Sequence, residues 1–303
     1  MRVVLLGKGE MLANLILGVE EAGAEIVGVL RYENLRLGVR RLWLHDNFGN
    51  SPEIQLIKRK KLFDIHMKSA NSEEFKNLMF KLSPDLIIVG TWGEKLKKEI
   101  FSIPKFGTIN VHPSILPKYR GPNPYLQAIW HREKFSGVTF HFMDEDFDTG
   151  AILLQEIIPI QDGDTGLELR RKICRSVRGG ISDLLPHIEN GTIIPRGQNE
   201  NDATYYPEIT PQSMTLDFSK ESSEEILAHV RAFHPFRPTY IQDGYFFWIV
   251  NPYNVSISDD FAEPDKIIKR NVLQRTLSIS ANDGKILIFK KLKPYTWFSK
   301  FYQ

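Results

Sequence analysis

Cysteine is nearly absent from this chain, with Cys174 the single example among 303 residues. One thiol cannot build an internal disulfide framework or a multi-thiolate metal site. The eight histidines show no spacing to Cys174 or to carboxylates that is typical of metal ligands. The sequence therefore predicts no metal site, and we expect Cys174 to be a buried, small apolar side chain.

Long apolar runs and an excess of one charge are also missing. No stretch approaches the roughly 18 apolar residues of a membrane span, and the chain begins without the layout of a signal peptide. Lysine and arginine number 39 against 37 acidic residues, a net charge of +2, which gives no global attraction to nucleic acid. We therefore expect a cytoplasmic protein without membrane or DNA partners, in which any RNA contact needs a local basic patch.

The first half of the chain alternates short apolar runs with helical patterns. Residues 2–6, 25–30 and 85–90 read as buried strands, and residues 11–22 read as a helix ending at Gly23. Strand and helix alternation of this kind indicates an α/β fold with a Rossmann-like, mostly parallel sheet. The glycines of residues 6–11 are a possible dinucleotide loop, but the third glycine of that motif is missing.

The second half predicts a different architecture. Residues 165–188 have the spacing of one long helix, and the polar stretch 196–202 is the best linker candidate. Beyond it, short apolar and aromatic runs are separated by the Asp-Gly pairs at 243–244 and 283–284, which favour hairpin turns. This pattern predicts a smaller, β-rich, OB-like C-terminal domain. The predicted limits are 1–195 for the first domain, 196–206 for the linker and 207–303 for the second domain.

Two polar residues stand two positions apart on a predicted strand that runs into a proline-rich loop. Asn110 and His112 therefore point to the same face, and Asp148, on a later Asp-Thr-Gly turn, could complete a three-residue site. An amide donor, an imidazole and a carboxylate are the groups that acyl transfer to an amine requires. A hydrogen-bonded structural pair is the alternative reading of an isolated Asn-x-His.

The full string around these residues is more specific. Residues 110–121 read NVHPSILPKYRG and residues 147–150 read FDTG, and together they resemble the family of formyltransferases that use 10-formyltetrahydrofolate, with Ile115 in place of a leucine. Residues 84–93 and 137–144 extend the resemblance. Segments of the second half are similar to family members that act on methionyl-tRNA, namely residues 203–207, 226–236 and 283–287.

The resemblance implies a catalytic set of Asn110, His112 and Asp148. In the implied mechanism, a neutral amine attacks the formyl carbon of the folate without a covalent enzyme intermediate. Asn110 and His112 donate to the oxyanion, and Asp148 holds His112 and helps to take the proton of the amine. The resemblance also implies the folate-binding residues Gly90, Thr91, Trp92, Ser114, Ile115, Leu116 and Pro117. For Trp92 there is a second interpretation, as a side chain that fills the core beneath the loop.

The acceptor amine is less well defined by the sequence. A basic segment at residues 36–41 followed by Ser51-Pro52 is similar to a basic loop of the methionyl-tRNA enzymes, which favours an initiator methionyl-tRNA. The segment 121–125 reads GPNPY, where the resemblance predicts Gly-Ala-Ala-Pro, so an amino-sugar nucleotide is the alternative acceptor. A non-catalytic folate-binding or tRNA-binding relative is a third hypothesis. The candidate acceptor-binding residues are Arg36, Arg40, Arg41, Asn123 and Tyr125.

Overall fold

The computed structural model describes residues 1–33, 41, 44, 51–244 and 246–295. The acceptor candidates Arg36 and Arg40 lie outside the described residues. The chain forms two compact units, each assembled from separate stretches of sequence. The first unit is residues 1–121, 136–158 and 171–205, and the second is residues 122–135, 159–170 and 206–303.

A seven-stranded sheet forms the centre of the first unit, in the order β3-β2-β1-β4-β5-β6-β7. The five strands from β3 to β5 in that order pair in parallel, and β6 pairs antiparallel to β5. The sheet confirms the predicted α/β, mostly parallel fold. Its strands are β1 (Arg2–Gly7), β2 (Glu25–Arg31), β3 (Asp64–Ile65), β4 (Leu86–Gly90), β5 (Thr108–His112), β6 (Phe135–Phe142) and β7 (Ile152–Pro159).

The central strands are apolar on both faces because helices cover the sheet. Every residue of β4 is buried, and β1 is exposed only at Arg2, as expected for parallel strands without a solvated face. β1 and β4 end in register at Gly7 and Gly90, where a Cβ on Gly7 would stand 2.4 Å from the Gly90 carbonyl oxygen. Across both units, the helices of the described residues are α1 (Gly9–Glu21), α2 (Pro52–Lys60), α3 (Glu73–Leu82), α4 (Lys98–Phe101), α5 (Pro124–Trp130), α6 (Gly166–Glu189) and α7 (Ser223–Phe233).

The second unit contains two antiparallel sheets. One has the order β10-β13-β12-β11, and the other has the order β14-β9-β8. The predicted β-rich character of the C-terminal part is thereby confirmed. The strands are β8 (Thr239–Asp243), β9 (Phe246–Val250), β10 (Val255–Phe261), β11 (Ile267–Asn271), β12 (Thr276–Ser280), β13 (Lys285–Phe289) and β14 (Lys293–Pro294).

Helix α7 begins at a capping box, in which the Ser222 hydroxyl accepts from the Glu225 amide and the Glu225 carboxylate accepts from the Ser222 amide. Its apolar face packs against a core that includes Phe218, Leu277 and Phe289. Burial of this face against the sheet stabilises the helix more than its intrinsic propensity does. No helix among the described residues is long and apolar enough to cross a membrane.

Residues 196–206, predicted as a linker, are not extended away from the first unit. Arg196 forms a β-bridge with Ile152, and Tyr205 forms one with Arg120. A 3-10 turn, Glu200–Asp202, lies between them. The predicted domain limits stay a prediction, because the compact units do not follow a single division of the chain.

Candidate active site

The candidate site lies at the carboxyl end of β5, where parallel α/β sheets commonly bind ligands. In the ladder with β6, Asn110 is paired with His141, and His112 is paired with Thr139. The period of two along a strand places Asn110 and His112 on one face, as the sequence predicts. The structure brings Asp148 to both: its Oδ1 lies 3.3 Å from Asn110 Nδ2 and 3.3 Å from His112 Nδ1.

The carboxylate of Asp148 is largely enclosed. Its Oδ2 accepts a hydrogen bond of 2.9 Å from the Gly121 amide, and its backbone is left-handed, with φ +59°. Burial acts to raise the pKa of Asp148, but the charge and hydrogen bond of His112 and the Gly121 N–H outweigh burial and lower the pKa to about 2. Asp148 is therefore ionised at neutral pH.

His112 is buried, and both of its ring nitrogens face oxygen acceptors. Nε2 lies 2.9 Å from the carbonyl oxygen of Tyr119, and Nδ1 faces Asp148. The backbone of Tyr119, which presents this carbonyl, is left-handed, with φ +61°. Both of these oxygens accept hydrogen bonds, so each can be bonded only by a ring N–H.

His141 is part of this site, and sequence reasoning did not select it. Its ring is buried, with Nε2 3.1 Å from Asn110 Nδ2 and Nδ1 2.8 Å from the carbonyl oxygen of Phe142. Burial and the nearby charge of His112 lower the pKa of His141 to about 4. A neutral ring that donates from Nδ1 leaves Nε2 as an acceptor, which orients the amide of Asn110. His141 is paired with Asn110 across β5 and β6, and this pairing, which would have indicated His141, is not visible in the sequence alone.

The segment implied to contact folate is fixed by side chains of neighbouring strands. The Thr139 hydroxyl accepts from the Leu116 amide at 3.1 Å and donates to the Ser114 carbonyl at 2.7 Å. Gln155 donates to the Leu116 carbonyl at 2.8 Å. Ile115 lies against Gly137, and a Cβ added at Gly137 would stand 2.3 Å from Ile115 Cδ1. The peptide between Leu116 and Pro117 is cis.

The other implied folate residues follow β4, on the opposite side of β5. Gly90 is in register with Val111, one residue before His112, and Thr91 has a left-handed backbone, φ +59°. Trp92 packs edge-on against Tyr32, with ring centroids 5.3 Å apart, and against the apolar core. Its Nε1 is buried and has no hydrogen-bond partner among the described residues. The two sets of candidate residues thus flank the strand that bears Asn110 and His112.

The acceptor candidates are not gathered with the catalytic candidates in one unit. Arg41 is exposed. Asn123 and Tyr125 belong to the second unit, where the Tyr125 hydroxyl lies 3.3 Å from Asn123 Oδ1 and the Tyr125 ring contacts Phe236, with centroids 5.9 Å apart. Their role in acceptor binding stays a prediction.

The geometry of the three central side chains suits one kind of chemistry. Two N–H donors, from Asn110 and His112, converge on one oxygen position, at present taken by Asp148 Oδ1. Donors arranged before the reaction are what stabilises a developing oxyanion. Among the described residues, no group of three or more His, Cys, Asp or Glu side chains is arranged to hold a metal ion.

Comparisons with known proteins identify the family of the chain. Residues 1–182 match the family model described as formyl transferase. The chain is 33% identical over 233 residues to a methionyl-tRNA formyltransferase of Thermotoga neapolitana, covering 77% of this chain and 72% of that protein. It is 29% identical to the methionyl-tRNA formyltransferase of Kosmotoga olearia, covering 96% of this chain and 91% of that one.

Solved structures share the fold. An N-formyltransferase from Helicobacter canadensis, in complex with folinic acid and dTDP-3-aminofucose, aligns with a TM-score of 0.68 and 20% identity over 97% of this chain and 99% of that chain. HypX from Aquifex aeolicus, in complex with tetrahydrofolic acid, aligns with a TM-score of 0.64 and 17% identity; the match covers 95% of this chain but only 43% of HypX. With the family model matching more than half of its length, the chain belongs to the formyl transferase family.

Proposed function

We propose that this formyl transferase moves a formyl group from 10-formyltetrahydrofolate to the α-amino group of methionyl-tRNA. The observation that carries the proposal is the convergence of Asn110 Nδ2 and His112 Nδ1 on a single oxygen position. That position is held by Oδ1 of Asp148, a carboxylate that stays ionised at neutral pH. Formyl transfer to an amine needs these three groups at one point, because charge develops on one oxygen while one nitrogen loses a proton.

In the proposed mechanism, the formyl oxygen replaces Asp148 Oδ1 as the acceptor of the two donors. Attack by the neutral amine converts the formyl carbon to a tetrahedral centre and places negative charge on that oxygen. His141 keeps one N–H of the Asn110 amide engaged at 3.1 Å, so the other N–H is directed to the oxyanion. His112 stays oriented through its contact with the Tyr119 carbonyl while it donates from Nδ1. Removing one oxyanion donor of this type raises the activation free energy by about 3–4 kcal/mol.

Asp148 has a separate part in the proton balance. As the C–N bond forms, the amine nitrogen becomes positively charged and must lose a proton, directly or through water, to Asp148 or to a base that Asp148 orients. The N10–C bond of the folate then breaks, and N10 accepts a proton as it leaves. The Gly121 amide stays on Oδ2 while Oδ1 turns away from the two donors.

Two similarities support methionyl-tRNA as the acceptor. The relatives at 33% and 29% identity are named methionyl-tRNA formyltransferases, and the second is matched over 96% of this chain, including its C-terminal β-rich part. The basic residues of the segment 36–41 would supply phosphate contacts, which give affinity without sequence readout. We place the reaction in the cytoplasm, where charged tRNA is used.

An amino-sugar nucleotide is the second candidate acceptor. A structural neighbour matched over 97% of this chain is an N-formyltransferase in complex with dTDP-3-aminofucose. The segment 121–125 of this chain, GPNPY, also departs from the Gly-Ala-Ala-Pro that the resemblance predicts. At 20% identity this neighbour supports the fold rather than the acceptor, so we rank the sugar second.

The decisive experiment incubates the protein with 10-formyltetrahydrofolate and either charged initiator methionyl-tRNA or a panel of amino-sugar nucleotides, and follows release of tetrahydrofolate. We expect formylated methionine and a rate that falls steeply between 50 and 200 mM salt, by roughly tenfold or more, because phosphate contacts are screened. Arg41→Glu should weaken transfer to tRNA, while the control Arg175→Glu, at an exposed position of α6, should not. Release with amino sugars alone would reject the tRNA proposal.

A further inference from the structure

Residues 198–204 contact the loops that carry the candidate catalytic groups. Thr204 makes three of these contacts: its hydroxyl accepts from the Tyr119 amide at 2.8 Å, its carbonyl accepts from the Arg120 amide at 2.8 Å, and its own amide donates to the Pro117 carbonyl at 3.2 Å. The loop that holds His112 through the Tyr119 carbonyl is therefore fixed from this segment. All of these residues lie in the first unit.

Gln198 connects this loop with the turn that carries Asp148. Its Oε1 accepts from Arg120 Nη2 at 2.9 Å, and its Nε2 donates to the carbonyl oxygens of Asp148, at 2.8 Å, and Gly150, at 2.9 Å. A guanidinium only donates and a carbonyl only accepts, so this amide can make its contacts in one orientation alone. One side chain thus spans both loops of the site.

Arg120 is itself held by a carboxylate. It is buried, and its two terminal nitrogens donate to Glu200 at 2.9 and 2.7 Å, in the bidentate arrangement that combines strength with a fixed direction. Arg120 directly precedes Gly121, whose amide donates to Asp148 Oδ2. Gln198 therefore fixes Asp148 in two ways. It bonds the backbone of the turn that carries Asp148, and it bonds Arg120, the residue before the Gly121 amide that donates to Asp148.

We propose that Gln198 is a positioning residue for formyl transfer, one that sets the place of Asp148 relative to the loop of His112 and Gly121. The proposal rests on the proposed role of Asp148 in the reaction. Among the described residues, the Gln198 side chain forms its hydrogen bonds with the side chain of Arg120 and with backbone carbonyls. Asp148 has a left-handed backbone, which Asp and Asn adopt more often than other non-glycine residues but which neighbouring contacts still have to hold.

Two variants separate the contacts of Gln198. Gln198→Glu keeps an oxygen for Arg120 but removes both donations to the Asp148 turn, and Gln198→Met removes all of the contacts at similar volume. We expect kcat to fall about 10- to 100-fold in both variants, because displacements near 1 Å at a reacting group cost rates of this order. KM for the folate should change by less than about threefold, since uniform binding is untouched. Gln212→Glu, the same change at an exposed position, is the control.

A second measurement does not depend on the acceptor. The Asp148 carboxyl, followed by its ¹³C resonance, should remain ionised from pH 7 to pH 4 in the wild type, because its pKa is about 2. In both Gln198 variants the contacts from Gly121 and His112 should loosen, so the pKa should rise toward the ordinary 3.8 and titration should become visible at pH 4.

The outcomes distinguish the two proposals. No transfer by the wild type to either acceptor would reject the proposed function, while the carboxyl titration would still test the positioning of Asp148. Unchanged kcat and unchanged titration in both Gln198 variants would overturn the positioning role. A lower kcat that accompanies only a lower melting temperature, with the Asp148 titration unchanged, would also overturn it.

Discussion

The chain contains two buried histidines with the same kinds of partner, and they illustrate what separates a reactive site from a structural one. In the first unit, His112 faces Asp148 at 3.3 Å and the Tyr119 carbonyl at 2.9 Å. In the second unit, His229 faces the Glu221 carboxylate at 2.8 Å and the Ser213 carbonyl at 2.8 Å. Residue types and partners alone do not distinguish the two.

The difference lies in what surrounds each pair. The His229 ring is covered by aromatic rings, with Trp130 at 4.5 Å and Phe233 at 5.0 Å between centroids. Asp148, by contrast, is shared: Asn110 and His112 face one of its oxygens, and Gly121 faces the other. The short contacts of His229 lie beneath aromatic rings and stabilise one arrangement. The donors of Asn110 and His112 lie 3.3 Å from a shared oxygen and can exchange Asp148 for another acceptor. We infer that competition for an acceptor marks the reactive pair.

The largest effect that tests this comparison is expected at Asp148. Asp148→Asn keeps the volume but removes the negative charge and the proton acceptor, and we expect formyl transfer to fall about 10³-fold. Rates are compared per folded molecule, because the depressed pKa of Asp148 contributes stability at neutral pH that the amide does not keep. The control is Asp146→Asn on the same loop, where the carboxylate is exposed. Turnover within about threefold of the wild type would contradict the role of Asp148.

His229 should show the opposite behaviour. His229→Ala removes the partner of Oε1 in the mostly buried Glu221 carboxylate, whose Oε2 keeps the Asp217 amide, and opens a cavity beside Trp130. We expect a loss of about 3 kcal/mol in the free energy of unfolding. The rate per folded molecule should stay within about twofold of the wild type. Urea denaturation and initial rates measure the two quantities. His187→Ala, at an exposed site, is the control, and an inactive but fully stable His229 variant would invalidate the comparison.

A smaller effect is expected from His141 as the pH falls. The unfolded chain protonates this ring near pH 6.5, whereas the pKa of His141 in the folded protein is about 4. The unfolded state therefore binds more protons between these values, and stability falls as the pH decreases through the window. The contribution should be about 2 kcal/mol between pH 7 and pH 5.

His141→Leu removes this titration. Urea denaturation at pH 7, 6 and 5 should therefore show a shallower decrease of stability in the variant than in the wild type. Asp148 does not interfere, because the stability gained from its depressed pKa is lost only below about pH 4. Equal slopes for the two proteins would show that His141 carries no depressed pKa.

The regular elements with strong apolar patterns could be predicted from the sequence. Strands β1, β2 and β4 and helices α1 and α6 lie within about two residues of their predicted limits, because their buried positions follow the period of the element. Strands β10 and β11 were not predicted. All of their residues are exposed or only partly buried. In β10 only Val255 and Ile257 alternate with polar residues, and β11 has no apolar alternation, so pairing with β13 and β12 defines these strands.

The site was predictable in part for the same physical reason. The pair Asn110 and His112 follows from strand periodicity, and Asp148 follows from the resemblance. His141 and Gln198 reach the site from β6 and from the segment 196–206, and no local pattern indicates long-range contacts of that kind. The polar composition of residues 196–202 predicts a linker, but in the structure several of these polar side chains bind the loops of the site.

The alternation of the chain between the two compact units has a consequence for how such an enzyme can change its acceptor. The first unit is built from three stretches of sequence, and residues 122–135 and 159–170 of the second unit come between them. A single crossover cannot exchange one unit and leave the other whole, because the chain passes between them repeatedly. If the candidate acceptor residues Asn123 and Tyr125 have their proposed role, new acceptor specificity in this architecture is more readily acquired by substitution within short segments such as residues 122–135 than by recombination of whole modules.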